Sequence, residues 1–389
     1  MATVTSARTP YAHELFPELV RAGLVGDRQA VEVVTNTAIR ALRTSAPEIA
    51  SKLAALLGAN AAGSAAVRWN ASEPPPADTD SGASLVRVTS SSDAPAPVLP
   101  PQVSEAVEQF VAERKAVTQL LQEGLLPPRS LLLSGAPGTG KTMLATWLAA
   151  QLGVRLVVLD LATAMSSYLG KTGLNLRRSL DYARGQPCVF LLDEFDAIAK
   201  RRDDPSEVGE LKRIVNVLLK ELEEWPVQSV LIAATNHPEL LDPAIGRRFD
   251  VVIELPKPDT MQREAIIVRA CGRFATKFPN GFVGALAAAT NGASGSAIVT
   301  LTETAVRKHV VSGSPLVQTF VAQSVRALGE HAAQASFAVA LHEGGMSVRE
   351  IAAVLGKGSS TVQYHLTKHK SPQSSHGNDT PKKANSRKR

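Results

Sequence analysis

The order of apolar and polar residues divides the chain into regions of different periodicity. Over residues 11–58, apolar residues recur at intervals of three and four, which is the spacing of one face of an α-helix. Gly26 and Pro47 interrupt the pattern, and both residue types are unfavourable inside a helix. The pattern therefore predicts an N-terminal bundle of three short helices.

Residues 59–101 lose this periodicity and are rich in alanine, serine, proline and aspartate, as in the stretches SEPPPADTD and SSSDAPAP. A segment of this composition buries too little apolar surface to offset the conformational entropy that folding costs. We therefore expect a disordered linker between the helical bundle and the rest of the chain.

From residue 102 to residue 257, apolar runs of strand length alternate with helical patterns. This alternation predicts an α/β domain in which helices lie on both faces of a parallel sheet. Helical patterns then indicate a small helical lid domain in residues 258–328 and a further helical unit in residues 332–369. Residues 370–389 are predicted to form a disordered basic tail.

Composition narrows the class of protein. The 389 residues are 44% hydrophobic, which is enough to bury cores in two or three domains. Cys188 and Cys271 are the two cysteines, too few for a disulfide framework, and they favour a reducing compartment. No signal-peptide core and no apolar run of membrane-spanning length is visible. We therefore expect a soluble, cytoplasmic protein without membrane contacts.

The formal net charge of +6 is concentrated at one end of the chain. From residue 370 onward, six lysines and arginines stand against one aspartate, so most of the excess positive charge lies in the tail. The charge therefore says little about a nucleic-acid surface on the body of the protein.

A glycine-rich loop between a predicted strand and a predicted helix carries the strongest chemical signal. Its residues are Gly135, Ala136, Pro137, Gly138, Thr139, Gly140, Lys141 and Thr142. The GxxxxGK[ST] order points backbone N–H groups at phosphates and adds the positive end of a helix. We expect Lys141 to neutralise the β and γ phosphates of ATP and the Thr142 hydroxyl to coordinate Mg²⁺.

A second signal follows about fifty residues later, where a buried apolar strand ends in Asp193 and Glu194. Ligands of such sheets bind at the carboxyl ends of the strands, so these carboxylates are expected beside the phosphate loop. We predict that Asp193 holds Mg²⁺ and that Glu194 orients and polarises the water that attacks the γ-phosphate.

The next apolar strand ends in Asn236 and is followed by HPELLDPA and then by Arg247 and Arg248 in the order RRFD. These residues resemble the second region of homology of the AAA ATPases. The resemblance implies a homo-oligomeric ring, expected to be hexameric, in which Asn236 helps to place the attacking water. It also implies that Arg247 and Arg248 are arginine fingers that enter a neighbouring subunit's site, with the leading arginine left open.

Two shorter stretches extend the resemblance. Tyr168, Leu169 and Gly170 are similar to the pore loop by which AAA unfoldases and microtubule-severing relatives grip a polypeptide. The alternative is a tyrosine that packs under a loop. The stretch TNGASGSAI is similar to the lid motif of the family, which implies that Gly295 lies at the nucleotide.

The helical N-terminus and the sequence motifs GAPGTGKT and FLLDEFD together resemble those of small bacterial AAA proteins. Some of those proteins are encoded beside subtilisin-like proteases in paired plasmid-maintenance or phage-defence systems. The resemblance therefore implies a subtilisin-like protease as a candidate partner.

Residues 347–366 have the spacing of a helix-turn-helix, with Gly356 at the turn. In that arrangement the side chains able to reach double-stranded DNA are Thr361, Gln363, Tyr364 and Lys368. A helical unit of this size also serves as a protein-docking module, and that alternative stays open. The histidines, His365 included, lack a metal-binding pattern and are expected at the surface.

Three functions are compatible with these features. The first is an ATP-hydrolysing ring that remodels or threads a protein target through its pore loop. The second is a DNA-bound ATPase of transposition, replication, partition or defence, anchored by the helix-turn-helix. The third is a regulator in which the nucleotide only switches conformation, but Glu194 and the arginine pair argue for hydrolysis.

Overall fold

A computed structural model of the chain divides into two compact units, residues 1–257 and residues 258–389. The structure describes residues 12–25, 28–61, 74–78, 82–90, 94–161, 172–197, 218, 220–222, 224–241, 243–328, 330–343 and 345–370. Within these ranges, every helix is too short or too polar to cross a membrane.

The first unit combines helices with one sheet. Its helices are α1 (Ala12–Val25), α2 (Arg28–Leu42), α3 (Pro47–Ala61), α4 (Pro101–Lys115), α5 (Val117–Gln122), α6 (Lys141–Gln151), α7 (Thr172–Arg184) and the one-turn α8 (Pro243–Gly246). Its strands are β1 (Arg87–Thr89), β2 (Ser130–Ser134), β3 (Arg155–Asp160), β4 (Cys188–Asp193), β5 (Val230–Thr235) and β6 (Val251–Glu254).

The six strands form a sheet in the order β1-β3-β4-β5-β2-β6. Strands β2 to β6 run parallel, and every residue of β2 and β5 is buried. Alternate residues point to opposite faces, so Leu132 and Phe190 lie in one apolar core while Leu131 and Leu191 lie in another. Cores on both faces explain why these strands are apolar throughout. The predicted α/β class is confirmed.

Strand β1 lies inside the segment that composition predicts to be a disordered linker, and that prediction is wrong for this stretch. Arg87–Thr89 pairs antiparallel with β3 at the edge of the sheet, and the neighbouring Val86 is buried in its core. The Asn175 side-chain amide also donates a hydrogen bond of 2.8 Å to the Asp78 carboxylate. A polar segment can order here because the open edge of a sheet supplies backbone hydrogen bonds that composition does not reveal.

The N-terminal helices share a core with the sheet domain. Residues Ile39, Ala50 and Ala54 of the bundle pack with Val117, Leu121 and Val227. The Glu32 carboxylate accepts a hydrogen bond from the Val227 backbone N–H, while Arg114 donates one of 2.7 Å to the Val227 carbonyl. Burial lowers the pKa of Arg114 to about 10, and the nearby Glu32 opposes this effect. Polar contacts to both sides of one residue therefore join the bundle to the sheet domain.

The second unit is helical in the ranges that the structure covers. Its helices are α9 (Thr260–Cys271), α10 (Phe282–Ala289), α11 (Gly295–Ser312), α12 (Leu316–Leu328), α13 (Glu330–Glu343), α14 (Val348–Leu355) and α15 (Ser359–Lys370). The rings of Phe282 and Phe337 stack with centroids 5.8 Å apart. Ile351 and Val362 lie in the same buried cluster as these rings. The regions predicted as separate units, 258–328 and 332–369, therefore share one core.

Helices α14 and α15 are joined by a tight turn. Ser347 and Glu350 form a capping box at the start of α14, and hydrogen bonds from Ser347 lower the pKa of Glu350. Gly356 ends α14 with φ 63°, in the left-handed region that favours glycine. His365 is buried with Val362 against the core, so the expectation of a surface position is wrong for this histidine. Its place three residues after Val362 puts both side chains on the same face of α15.

Candidate nucleotide-binding site

The loop between β2 and α6 has a backbone that requires glycine at its first position. Gly135 has φ 147°, and a Cβ atom there would lie 2.3 Å from the Leu255 carbonyl oxygen, which is a severe clash. Gly138 also has a positive φ, 78°. Farther along the loop, the Thr139 hydroxyl donates to the Ala136 carbonyl at 2.9 Å. The loop thus leads directly into the amino end of α6, where free N–H groups favour an anion.

Lys141 is the first residue of α6, and its side chain is folded under the loop. It is only 7% exposed, and its Nζ donates to the carbonyls of Gly135 at 2.7 Å and Ala136 at 3.1 Å. Burial lowers its pKa, an effect that the carboxylates of Asp193 and Asp196 oppose. A partly desolvated ammonium held by loop carbonyls fits a site for phosphate oxygens, which are stronger acceptors than carbonyls.

The two predicted magnesium ligands lie side by side. The Thr142 hydroxyl donates to Asp193 Oδ2 at 3.2 Å, although the two residues belong to α6 and to the end of β4. A hydroxyl oxygen and a carboxylate oxygen this close together are oxygen ligands of the kind that would hold Mg²⁺. The residues present therefore fit the predicted metal.

Glu194 follows β4 with an unusual backbone. Its φ of 54° places it in the left-handed region, where among the described residues it is the one amino acid other than glycine with positive φ. Its N–H donates to Asp193 Oδ1 at 3.0 Å, and its side chain is exposed. Such strained residues cluster at active sites. The turn directs the Glu194 carboxyl away from the core while Asp193 stays beside Thr142.

Asn236 follows β5, and a carboxylate that the sequence analysis missed fixes its backbone. Asp196 is 3% exposed, and its Oδ1 accepts hydrogen bonds from the Asn236 N–H at 3.2 Å and the Thr235 hydroxyl at 3.3 Å. Asp196 is visible in the sequence as the last aspartate of FLLDEFD. Its spacing from Asp193 and Glu194 does not by itself indicate a role for a third carboxylate. Asp196 thus ties the residues after β4 to the end of β5.

The register of the sheet brings these elements together. Ser134, the last residue of β2, pairs with Thr235, the last residue of β5, and β4 pairs with β5 on the other side. The carboxyl ends of these three neighbouring strands therefore meet at one edge. This edge thus holds Lys141 and Thr142 together with Asp193, the last residue of β4, although some fifty residues of chain separate Asp193 from the other two.

The arginine pair lies elsewhere. Arg247 and Arg248 are exposed, and they stand on the turn between α8 and β6. Two residues further on, the Asp250 carboxylate accepts hydrogen bonds from the N–H groups of Arg129 at 2.7 Å and Ser130 at 2.9 Å. Ser130 begins β2, whereas the phosphate loop follows the opposite end of that strand. Asp250 therefore holds the end of the arginine turn at the start of β2.

The remaining predicted residues belong to the pore loop, the lid motif and the helix-turn-helix. Tyr168, Leu169 and Gly170 lie outside the described residues. Gly295 is the first residue of α11 in the second unit, directly after the capping residue Ser294. Thr361, Gln363 and Tyr364 are exposed on α15, and Lys368 is part of that helix, with its side chain outside the described part.

The GxxxxGK[ST] loop follows β2, Asp193 and Glu194 stand at the end of β4, and Asn236 follows β5. These features, on a sheet covered by helices, are those of a P-loop nucleotide-binding domain. Comparison with known proteins specifies it further, because residues 131–257 match the family "ATPase family associated with various cellular activities (AAA)". Those residues are therefore an AAA ATPase domain.

Individual relatives agree with this family. An AAA family ATPase of Sinorhizobium fredii, y4kL, is 44% identical over 150 residues, which are 39% of this chain and 46% of the relative. The ATP-dependent zinc metalloprotease FtsH 3 of Sphaerobacter thermophilus is 32% identical over 278 residues, 70% of this chain and 56% of the relative. This chain thus spans about half the length of each.

A solved structure supports the fold. The crystal structure of the FIGL-1 AAA domain has a TM-score of 0.51 and 21% sequence identity, over 63% of this chain and 86% of that chain. At this identity the likeness concerns the fold alone. It accounts for the sheet and its covering helices, not for the chemistry of the site.

The strained backbone at Glu194 generates a prediction for stability. Because glycine tolerates positive φ and alanine does not, Glu194→Gly is expected to unfold about 2 to 4 °C above Glu194→Ala, a difference of about 1 kcal/mol. Both variants lack the carboxylate, so the comparison isolates the backbone. Differential scanning calorimetry under identical conditions measures it.

Glu108, an exposed residue inside α4, provides the matched control. There the order reverses, since glycine in a helix interior is about 1 kcal/mol less favourable than alanine. Equal or inverted midpoints for the two Glu194 variants, with the expected order at Glu108, would contradict a strained Glu194.

Proposed function

We propose that the protein binds ATP with Mg²⁺ at this site and hydrolyses it in a homo-oligomeric ring that remodels a protein target. The observation that carries the proposal is the convergence of Lys141, Thr142, Asp193 and Glu194 at one edge of the sheet. Each supplies a group that phosphoryl transfer to water requires, namely a cation, metal ligands and a base. The ATPase family of residues 131–257 supports the same reaction.

Phosphate binding falls to the loop and to α6. Backbone N–H groups after Gly135 donate to the phosphate oxygens, and Lys141 exchanges its two carbonyl partners for the β and γ phosphates. Thr142 and Asp193 hold the metal between them. Bound Mg²⁺ supplies positive charge that offsets the charge of the β and γ phosphates.

Water activation falls to Glu194 and Asn236. The Glu194 carboxylate, which is exposed on a backbone of positive φ, accepts a proton from the attacking water. Asp196 holds the Asn236 backbone, which leaves the amide side chain to orient the same water. The negative charge on the transferring phosphoryl group requires a further cation to stabilise it.

We assign that cation to a neighbouring subunit. Arg247 and Arg248 are exposed, and Asp250, two residues after Arg248, is held at the end of β2 away from the phosphate loop. We infer that the pair serves the site of the next subunit. A planar guanidinium from the next subunit suits the charge spread over the phosphoryl oxygens. This requirement supports a closed ring, for which we propose six subunits.

Two arguments support a protein as the target. The sequence around Tyr168 has the aromatic-hydrophobic-glycine order of a polypeptide-gripping loop. FtsH 3, which is similar over 70% of this chain, is by its name an ATP-dependent zinc metalloprotease, and the substrates of a protease are polypeptides. On the resemblance to small bacterial AAA proteins, we propose a subtilisin-like protease as the partner.

The first prediction from the proposed function concerns Glu194→Gln. The amide keeps the shape of the side chain but accepts no proton, so ATP is bound with unchanged affinity and hydrolysed at least about 100-fold more slowly. Steady-state phosphate release and fluorescent-nucleotide binding measure the two properties. Glu105→Gln, on the exposed face of α4, is the control and keeps wild-type turnover. Wild-type turnover in Glu194→Gln would disprove the assigned base.

The second prediction concerns the arginine pair. Subunits carrying Arg247→Ala and Arg248→Ala are mixed with wild type at increasing ratios, and activity is expected to fall faster than the wild-type fraction. The reason is that each variant subunit withdraws an arginine from an otherwise intact neighbour, at a cost of roughly 10³-fold or more in rate. Arg21→Ala in α1 is the control for mixing. Activity strictly proportional to wild-type content refutes the role in trans.

A second function, association with DNA, is favoured by the face and charge of the C-terminal helices. On α15, Gln363 and Tyr364 are exposed, Tyr364 to 58%, while Val362 and Leu366 are buried. Residues 345–389 hold nine lysines and arginines and two acidic residues, a net charge of +7, whereas the net charge of the whole chain is +6. We infer that α15 enters the groove of double-stranded DNA and that the basic residues contact phosphates.

The third prediction tests this association. Gln363→Ala combined with Tyr364→Ala lowers affinity for duplex DNA at least tenfold, because each groove contact contributes about 1 to 3 kcal/mol. Removal of residues 371–389 instead lowers the dependence of affinity on salt. Fluorescence anisotropy with labelled duplex over a salt series measures both. Val310→Ala with Val311→Ala, exposed on α11, is the control. Undiminished binding by the α15 variant excludes that face.

A further inference from the structure

Two aromatic rings connect the segment after β4 with the arginine turn. Phe195 and Phe249 are both buried, and their rings meet edge to face with centroids 6.1 Å apart and planes at 85°. Edge-to-face packing is a directional contact, since the positive edge of one ring meets the negative face of the other. Displacement of one ring therefore changes the packing of the other.

On one side, this contact lies next to the water-activating residue. Phe195 follows Glu194 directly, and its N–H donates to the Ala234 carbonyl at 2.8 Å. Ala234 is two residues before Asn236. Phe195 is thus adjacent in sequence to the proposed base Glu194, and its backbone is hydrogen-bonded to the end of β5, which Asn236 follows.

On the other side, the contact holds the arginine turn. The Arg248 N–H donates to the Ile245 carbonyl at 3.1 Å, and the Phe249 N–H donates to the Gly246 carbonyl at 3.4 Å. Ile245 is also buried in the same core as the two rings. The exposed arginines therefore stand on a compact turn that buried side chains flank at both ends.

We propose that Phe195 and Phe249 are positioning residues, which couple the state of a subunit's own Glu194 to the arginines that the subunit presents to its neighbour. The inference rests on the proposed function. Neither ring touches the reacting atoms. Their contact transmits a displacement of the Glu194 turn, through one packed pair, to the turn of Arg247 and Arg248, because closely packed cores do not deform freely.

The test is a double-mutant cycle on the full chain with Phe195→Leu, Phe249→Leu and the combination. Each single change is expected to lower kcat about tenfold while the Kd for nucleotide stays within about twofold. The two losses are expected to be non-additive by at least about threefold, since either change breaks the same contact. Cooperativity of turnover with ATP concentration is expected to fall in all three variants.

A second aromatic pair in the same core serves as the control. Phe190 stacks on Trp225 with centroids 5.8 Å apart, near the start of β4 and away from Glu194. Phe190→Leu is expected to lower the melting temperature about as much as Phe195→Leu, yet to retain kcat and cooperativity. This control separates a general loss of packing from a loss of positioning.

The outcomes distinguish the inference from the function on which it rests. If the wild type hydrolyses ATP but the two Leu changes multiply independently, or if Phe190→Leu lowers kcat equally, the coupling is overturned. If the wild type fails to hydrolyse ATP, the proposed function fails first. Non-additive losses in kcat with an unaffected Phe190→Leu support the coupling.

Discussion

The hydrogen-bonded register of β2, β5 and β4 is the constraint on which the rest of the structure depends. Because the three strands run parallel and end together, the loops that follow them meet at one edge. Asp193 becomes a neighbour of Lys141 and Thr142 for that reason, although some fifty residues of chain separate it from them. Burial of the strands on both faces keeps the register from slipping.

Local motifs were enough to predict the candidate phosphate site from the sequence. The loop residues from Gly135 to Thr142 act through backbone geometry and fixed spacing, so their order alone indicates their chemistry. Asp193 and Glu194 were readable because an apolar strand ends at them. Asp196 was not, since its role depends on the Asn236 backbone, which only the folded sheet brings near.

Contacts between distant segments account for the other differences. Arg87–Thr89 is a strand because β3 offers an open edge, and the polar composition around it gives no sign of that edge. The junction of Glu32 and Arg114 through Val227 likewise joins elements far apart in the chain. Periodicity identified the helices of the second unit but did not show that Phe282 and Phe337 belong to one core. The apolar periodicity of a helix identifies its buried face but does not identify the element that packs against that face.

Lys141 is the residue proposed to hold the phosphates of ATP, so nucleotide binding is the most direct test of the proposed function. Isothermal titration of ATP with Mg²⁺ into the intact chain is predicted to give saturable binding. In Lys141→Ala, binding is predicted to be at least about tenfold weaker, because the buried ammonium no longer meets the phosphates. Absence of binding to the wild type, or equal affinity in both proteins, would contradict the proposed function.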